Sequence, residues 1–435
     1  MNPRTDHRPG LRRRDVFGLA AAASVPVLSA CSSSSSEAGS TEDLTFWDMP
    51  WGGTQYTRTA EDLVNSYPAP SGLAGAQYQG LQWANYYQTF SSAIASDTGP
   101  AVSSGGGFQA FQFAQQGAIH YADDLIGTLR ENGTYDDFLP GTMDAMQTGS
   151  GYAAVPWQID IRVLTVRRSL LEEAGTEVPT DWASFLEAGR ALQRIGVAGY
   201  GTATGAGANI GSQGVVSFMI NNGGGFFNEQ GEPDCVTDRN IESLEFFNQM
   251  AAEGIINPRA VAYTTGNLDD DWQNRRVGMG ITVPSLASGL GESGDDLQVI
   301  SPLASPNGDK GTLYYINNLM MYQNTPSEEA SEAFLRWYLD NMSTYWTEGV
   351  IESIPVRQSI VDTPEYQSDA NKVRAANEWQ PVGKTLAARG EEVFAELNAV
   401  DGGQDLITFA QRAIQGQTDP RANLEAMQAA IESVV

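Results

Sequence analysis

The stretch Tyr152–Leu192, YAAVPWQIDIRVLTVRRSLLEEAGTEVPTDWASFLEAGRAL, holds the densest run of structural signals in the 435-residue chain. Tyr152 to Pro156 and Arg162 to Val166 are apolar and rich in β-branched or aromatic residues, and read as two strands around a short bend. Ser169 to Ala174 has helical spacing and stops at Gly175. Pro179-Thr180-Asp181-Trp182 then opens a longer helix that runs to Ile195, with Thr180 or Asp181 as its cap.

The same alternation continues outward on both sides. Leu44 to Trp47 suits a buried strand, Gln55 to Tyr67 a helix stopped by Pro68, Ala76 to Leu81 a second strand, and Tyr86 to Ser96 a second helix. Further on, Val277–Val283 and Leu313–Tyr322 read as buried strands, and Ile241–Ala252, Ser327–Leu339 and Leu386–Leu397 as helices. No tandem period appears, and strand alternating with helix points to an α/β fold.

The N-terminal thirty residues read as an address. Arg12, Arg13 and Arg14 precede an apolar run from Val16 to Leu28 that is too short to span a bilayer and is shaped like a secretory leader. Arg13-Arg14 followed by Asp15, Val16 and Phe17 resembles a twin-arginine signal, and Leu28-Ser29-Ala30-Cys31 resembles a bacterial lipobox. These features predict a signal peptide over 1–30, lipidation at Cys31 and a Ser/Gly-rich tether over 31–41, so that the body is held to the outer face of the cytoplasmic membrane by a lipid anchor.

Once Cys31 is used, only Cys235 remains, so no intramolecular disulfide is available and a small buried thiol is expected. The composition, 41% apolar and 18% charged, is that of a globular body. The formal charge of −28 repels nucleic acid and argues against such a partner.

Much catalytic chemistry is missing. His7 belongs to the leader, so a His-based zinc site or a Ser-His-Asp triad would rest wholly on His120, which is expected to be structural or exposed. In GTATGAGANIG, Gly205 and Gly207 start a G-x-G-x-x-G pattern, but Ile210 stands in the place of the third glycine. Asp269, Asp270 and Asp271 lack the alternation of a calcium loop and are expected to cap a helix carrying Trp272. No cofactor and no metal are expected. A glycosidase would need two carboxylates facing each other across a cleft, an arrangement that a sequence cannot display.

Several stretches together resemble a known family. LTFWD, AIASDTGPAVSS, the Tyr152–Leu192 stretch, NNGGGFFNEQGEP, WQNRRVGMGITVPS and EGVIESIPVRQS, in this order after a lipobox, are similar to the solute-binding lipoproteins of carbohydrate ABC transporters, the class that includes maltose-binding protein. The chain departs from the family pattern at Val166-Arg167-Arg168, where Tyr-Asn-Lys is usual, and at Gly99-Pro100-Ala101, where Gly-Pro-Asp is common. The resemblance implies a two-lobed periplasmic-binding-protein-like α/β fold with a three-segment hinge and a cleft between the lobes. Lobe one would take 42–163 plus 284–339, and lobe two 164–283 plus 340–435. It implies a monomer that captures a mono- or oligosaccharide and hands it to permease subunits, with no covalent chemistry. Readings that compete with it are a lipid-anchored glycosidase and a receptor of the same fold for a polyamine or a glycerophosphodiester.

A sugar needs aromatic plates for its C–H faces and planar polar groups for its hydroxyls. By this chemistry and the family's loop positions, Trp47, Asp48 and Trp51 after the first strand are expected at the ligand, as are Gly107, Phe108 and Gln109 in the second cleft loop. Trp157, Asp160 and Arg162 lie near the first crossing, the two charged residues either binding vicinal hydroxyls or bridging each other. The second lobe would contribute Asn209 and Gln213, the second crossing Ser285, the cleft floor Tyr315 and Asn317, and a late segment Trp379 and Gln380.

Overall fold

The computed structural model describes residues 42–351, 353–390 and 392–435. The leader, Cys31 and the tether therefore lie outside the described residues. Within them the chain forms strands β1 (Leu44–Asp48), β2 (Ala76–Gly80), β3 (Val102–Gly105), β4 (Ile119–His120), β5 (Gln147–Thr148), β6 (Gly151–Tyr152) and β7 (Val155–Ile161). It continues through β8 (Val163–Arg167), β9 (Ala198–Tyr200), β10 (Val277–Thr282), β11 (Leu297–Val299), β12 (Thr312–Tyr322), β13 (Ile354–Pro355) and β14 (Gly383–Lys384).

Two mixed sheets organise these strands, with β5 and β6 forming a separate hairpin. The first runs β13-β7-β12-β3-β1-β2, with β4 and β14 also paired to β12. In it β1 lies parallel to β2 and β3, while β12 is antiparallel to β3 and β7. The second runs β11-β8-β10-β9, with β8 antiparallel to both β10 and β11. β7 belongs to one sheet and β8 to the other, and Arg162 alone separates them.

The decisive stretch differs from its sequence reading in one respect. The first long strand covers Val155–Ile161 and so includes the residues expected to bend, because Trp157, Ile159 and Ile161 are buried and β12 pairs along the whole segment. The chain turns at Arg162 instead. Arg168–Ala174 and Trp182–Arg194 are helices, as the spacing predicts. Asp181 caps the second, its carboxylate accepting from the Ser184 backbone N–H at 2.8 Å, while the Ser184 hydroxyl accepts in return from the Asp181 N–H. Trp182 at the first turn packs its ring 4.3 Å from that of Phe246, fixing the helix to Asp238–Ala252.

Strand pairing locates the later passages between the sheets. Leu297–Val299 pairs with β8 in the second sheet, so the chain is still there well after Pro284. It returns to the first sheet with β12, and Ile354–Pro355 remains on that sheet beside β7. Helix Gln404–Gln415 packs on helices Ile210–Asn221 and Asp238–Ala252, beside the second sheet.

Two local expectations need correction. Leu386–Leu397 is not a helix; only Leu397–Asp401 is helical, because Gly390 and the surrounding turns interrupt the apolar spacing. The acids 269–271 lie within helix Thr265–Gln273, whose cap is Thr264, bonded to the Asn267 N–H. His120 has the structural role expected of it, as part of β4 with its Nδ1 3.3 Å from Glu328. Cys235 is fully buried, and burial pushes its thiol up to about 12.

Replacing Asp181 by Ala removes the cap and should lower unfolding stability by about 1 kcal/mol, read as a shift of the urea midpoint at unchanged slope. An unchanged midpoint would mean that Trp182 packing alone starts this helix.

Candidate functional site

The site begins with the β7–β12 ladder. Opposed residues on an antiparallel pair share a face, and this pairing sets Asp160 against Tyr315 and Gln158 against Asn317. One step further along, the register slips. Asn317 faces Gln158 but Asn318 faces Pro156, which leaves Trp157 as the extra residue of a β-bulge. Trp157 turns into an aromatic core with Tyr338, Tyr345 and Trp346, while Gln158, Asp160, Tyr315 and Asn317 line a cavity of about 560 Å³.

A file of aromatic rings forms one wall. Trp51 meets Trp83 edge-on at 4.9 Å, and Trp83 meets Tyr86 at 5.4 Å; all three line the cavity. Trp51 is oriented from behind. Its indole N–H donates to the Ser104 hydroxyl at 2.9 Å, and Ser104 donates to Asp48 at 2.5 Å, while Tyr56 donates to the other Asp48 oxygen at 2.8 Å. Asp48 is wholly buried, and that desolvation pushes its carboxyl up to about 7 despite the hydrogen bonds. The loop reaches this position because Gly52 has no side chain: a Cβ there would sit 2.1 Å from the Val350 carbonyl oxygen.

The opposite wall comes from the second sheet and its helices. Asn209 and Gln213 stand at the start of helix Ile210–Asn221, while Leu268, Asp269 and Trp272 come from helix Thr265–Gln273 and Ile281 from β10. Desolvation, with Asp270 alongside, also raises the carboxyl of Asp269. Arg162 spans the two walls. Its guanidinium donates to both oxygens of Asp160 and, through Nε at 2.7 Å, to Gln213. The bridge between Asp160 and Arg162 thus exists, and both residues still face the cavity.

The polar groups of the two walls are only partly used. Gln158 is fully buried with neither amide atom bonded, Asn317 is buried with its Nδ2 unpaired, and the Trp272 indole N–H has no partner. Buried polar atoms are almost always satisfied, so such a cluster around one cavity leaves these groups for whatever fills it, solvent or solute.

Of the residues expected at the ligand, Trp51, Gly107, Asp160, Arg162, Asn209, Gln213, Ser285, Tyr315 and Asn317 line the cavity. Seven others do not. Trp47 packs edge-on against Phe90, and Asp48 lies beneath Trp51. Phe108 is buried against Tyr315, and Gln109 turns back to accept from the Gly106 N–H at 2.7 Å. Trp157 is in the core for the bulge's reason given above. Trp379 is buried with its N–H on the Ile300 carbonyl, and Gln380 sits in the short turn that follows. The sequence reading missed Trp83, Tyr86, Gln158, Asp269, Trp272 and Asp401. Gln158 was legible, since strand alternation places it on the face of Asp160.

Two mixed sheets joined at Arg162, with one polar and aromatic cavity walled from both, define a solute-binding architecture of the periplasmic-binding-protein kind. The chain belongs to the bacterial extracellular solute-binding protein family, whose model matches residues 76–344. It is 46% identical to a sugar transporter from Arthrobacter chlorophenolicus A6 solved with bound laminaribiose, with a TM-score of 0.88 over 91% of this chain and 100% of that one. Two more distant structures share the fold. A Thermotoga lettingae solute-binding protein bound to α-D-tagatose is 17% identical with a TM-score of 0.76, over 90% of this chain and 99% of that one. Maltose-bound MalE3 of T. maritima is 15% identical with the same score, over 90% and 100%. The chain spans 65% of the length of curated relatives from Brucella abortus, at 22% identity over 274 residues. Among the described residues no helix is long and apolar enough to cross a membrane.

The buried Asp48 gives a pH test. Its native carboxyl, at about 7 against an ordinary 3.8, binds a proton more tightly than the unfolded chain does. Stability should therefore fall as pH rises through that window and level off above it. Asp48→Asn removes this titration, so the loss of melting temperature between about pH 5 and about pH 8 should shrink in the variant. An identical loss in both proteins would show that the burial of this carboxyl carries no such cost.

Proposed function

We propose that the protein captures a neutral sugar, up to at least disaccharide size, outside the cell and delivers it unaltered to the permease subunits of an ABC transporter. The observation that carries this reading is the pairing of unsatisfied buried amides, Gln158 and Asn317, with the ring file Trp51, Trp83 and Tyr86 around one cavity. The amides suit hydroxyls and the rings suit C–H faces, whereas an anionic solute would need a cationic counter-ion. Arg162 is no free counter-ion, being bonded to Asp160 and Gln213. The Arthrobacter relative supports a β-linked glucose disaccharide such as laminaribiose as the first ligand to try.

The two sheets are taken as the cores of two lobes that close on the solute, bending at Arg162 and at two later passages. A twin-arginine leader and lipidation at Cys31 complete the proposal, fixing the protein by a lipid anchor outside the membrane. The glycosidase reading loses support because Asp160 is held by Arg162 through both oxygens rather than free to act on a glycosidic bond.

A panel of laminaribiose, maltose, glucose and spermidine tests the reading. A matching sugar should shift tryptophan emission and raise the melting temperature, and should be recovered with no new reducing ends. Trp83→Ala should weaken that sugar by about tenfold without altering the fold. If no sugar does either while spermidine does, the proposal is wrong.

A further inference from the structure

We infer that Asp401 contacts the bound ligand and reads one of its hydroxyls, and that it is carried to the cavity by a segment from the C-terminal part of the chain whose docking is part of capture. This rests on the sugar reading above and adds to it a residue that sequence motifs did not single out.

The segment Glu396–Gly402 is tied at both ends to different halves of the molecule. On one side Asn398 donates to Gln112 at 2.5 Å, and Gln115 donates to Glu396 at 3.5 Å; both glutamines belong to helix Gln109–Gln115, which follows β3 of the first sheet. Gly402 lies so near Tyr87 that a Cβ would be 3.1 Å from that residue's own Cβ. On the other side the chain continues directly into helix Gln404–Gln415, packed on helices Ile210–Asn221 and Asp238–Ala252, with Gln411 donating to the Thr204 carbonyl at 2.8 Å. The segment is therefore a bridge, and Asp401 sits at the point where the bridge touches the cavity.

The surroundings of Asp401 are those of an acceptor kept for a ligand. The Tyr315 hydroxyl donates to Oδ1 at 2.9 Å, and the Tyr86 hydroxyl reaches Oδ2 at 3.4 Å. A carboxylate offers about four acceptor positions, so these two donors leave the rest for groups in the cavity. Each tyrosine has spent its only proton, so its oxygen can accept but not donate. A ligand hydroxyl placed here can donate to Asp401 and accept nothing from the tyrosines, which fixes its orientation. The charged groups facing Asp401 are Asp160 and Arg162, which act in opposite senses; burial outweighs both them and the hydrogen bonds, raising its carboxyl to about 6. A ligand that donates to the carboxylate favours the ionised form, so affinity should fall as the medium is acidified through this range.

The experiment is calorimetric titration of laminaribiose into wild type, Asp401→Asn and Asn398→Ala at about pH 7.5 and about pH 5, with thermal unfolding of each empty protein. At the higher pH Asp401→Asn should bind about tenfold to a hundredfold more weakly. Wild-type affinity should drop towards the variant's value at the lower pH, while the variant's own affinity changes little. Asn398→Ala, which loosens the bridge and leaves the carboxylate, should bind more weakly and keep the wild-type pH profile. Empty Asp401→Asn should melt no lower than wild type, since the change removes a desolvated charge. If Asp401→Asn binds laminaribiose with wild-type affinity and pH profile, the inference fails and the sugar reading stands. If wild type binds no sugar in the panel, both fall together.

Discussion

The pairing of β7 with β12 is the constraint from which the rest of the molecule follows. Side chains on a strand alternate faces, so a one-residue error in this register would exchange core for cavity along its whole length. The bulge at Trp157 makes that exchange once, deliberately. It absorbs one residue, sends a large indole into the core, and leaves Gln158 and Asp160 aligned with Asn317 and Tyr315 on the open face. Pro156 suits the position because a bulge already interrupts the ladder, and a missing N–H costs little there. The same strand then ends at Arg162, where the chain changes sheets, so the cavity floor and the passage between the two halves are built from consecutive residues.

A second layer of organisation is the burial of groups that never meet the ligand. Asp48 looked like a hydroxyl acceptor beside two indoles; it holds Ser104, which holds Trp51. Burying a carboxylate is expensive, and the two short hydrogen bonds from Ser104 and Tyr56 do not cancel the expense, which leaves the carboxyl raised. What the arrangement provides is a tryptophan that cannot rotate, and a fixed plate loses less freedom on binding than a mobile one.

How much of this is legible in the sequence depends on the range of the signal. Local period and caps give the elements correctly where a periodic run ends at a clear stop, as at Gly175 and at the Asp181 capping box. They fail at Leu386–Leu397, where apolar residues occur at helical intervals but turns intervene. The family resemblance identifies the architecture because it adds the order of elements over the whole chain. Site residues on the β7 and β12 strands are recoverable because parity is a local rule. Trp47, Trp157 and Trp379 are not, since an indole suits a core and a sugar face equally and only packing separates the two. Trp83, Tyr86 and Asp401 have no motif at all. They come together only when the helix Tyr86–Ala95, the strand β12 and the segment before Gln404 meet in space.

The two cavity walls are chemically unequal, and the inequality bears on how such a cleft works. The first carries the ring file and the unpaired amides; the second mixes Leu268, Ile281, Leu286 and Leu290 with Asn209, Gln213, Ser285 and Trp272, and has Asp269 as its charged member. On the proposed sugar reading, the first wall offers the ring faces for encounter, and the second adds coverage together with the polar groups of Asn209 and Gln213. On the proposed reading, Gln158 and Asn317 oppose closure over nothing, because each buried group left without a partner costs about 1–3 kcal/mol. A solute that satisfies them removes the penalty at the moment the walls meet. Since a ligand can shift an equilibrium only by its differential affinity for the two states, the proposed sugar reading assigns part of that difference to these unsatisfied amides.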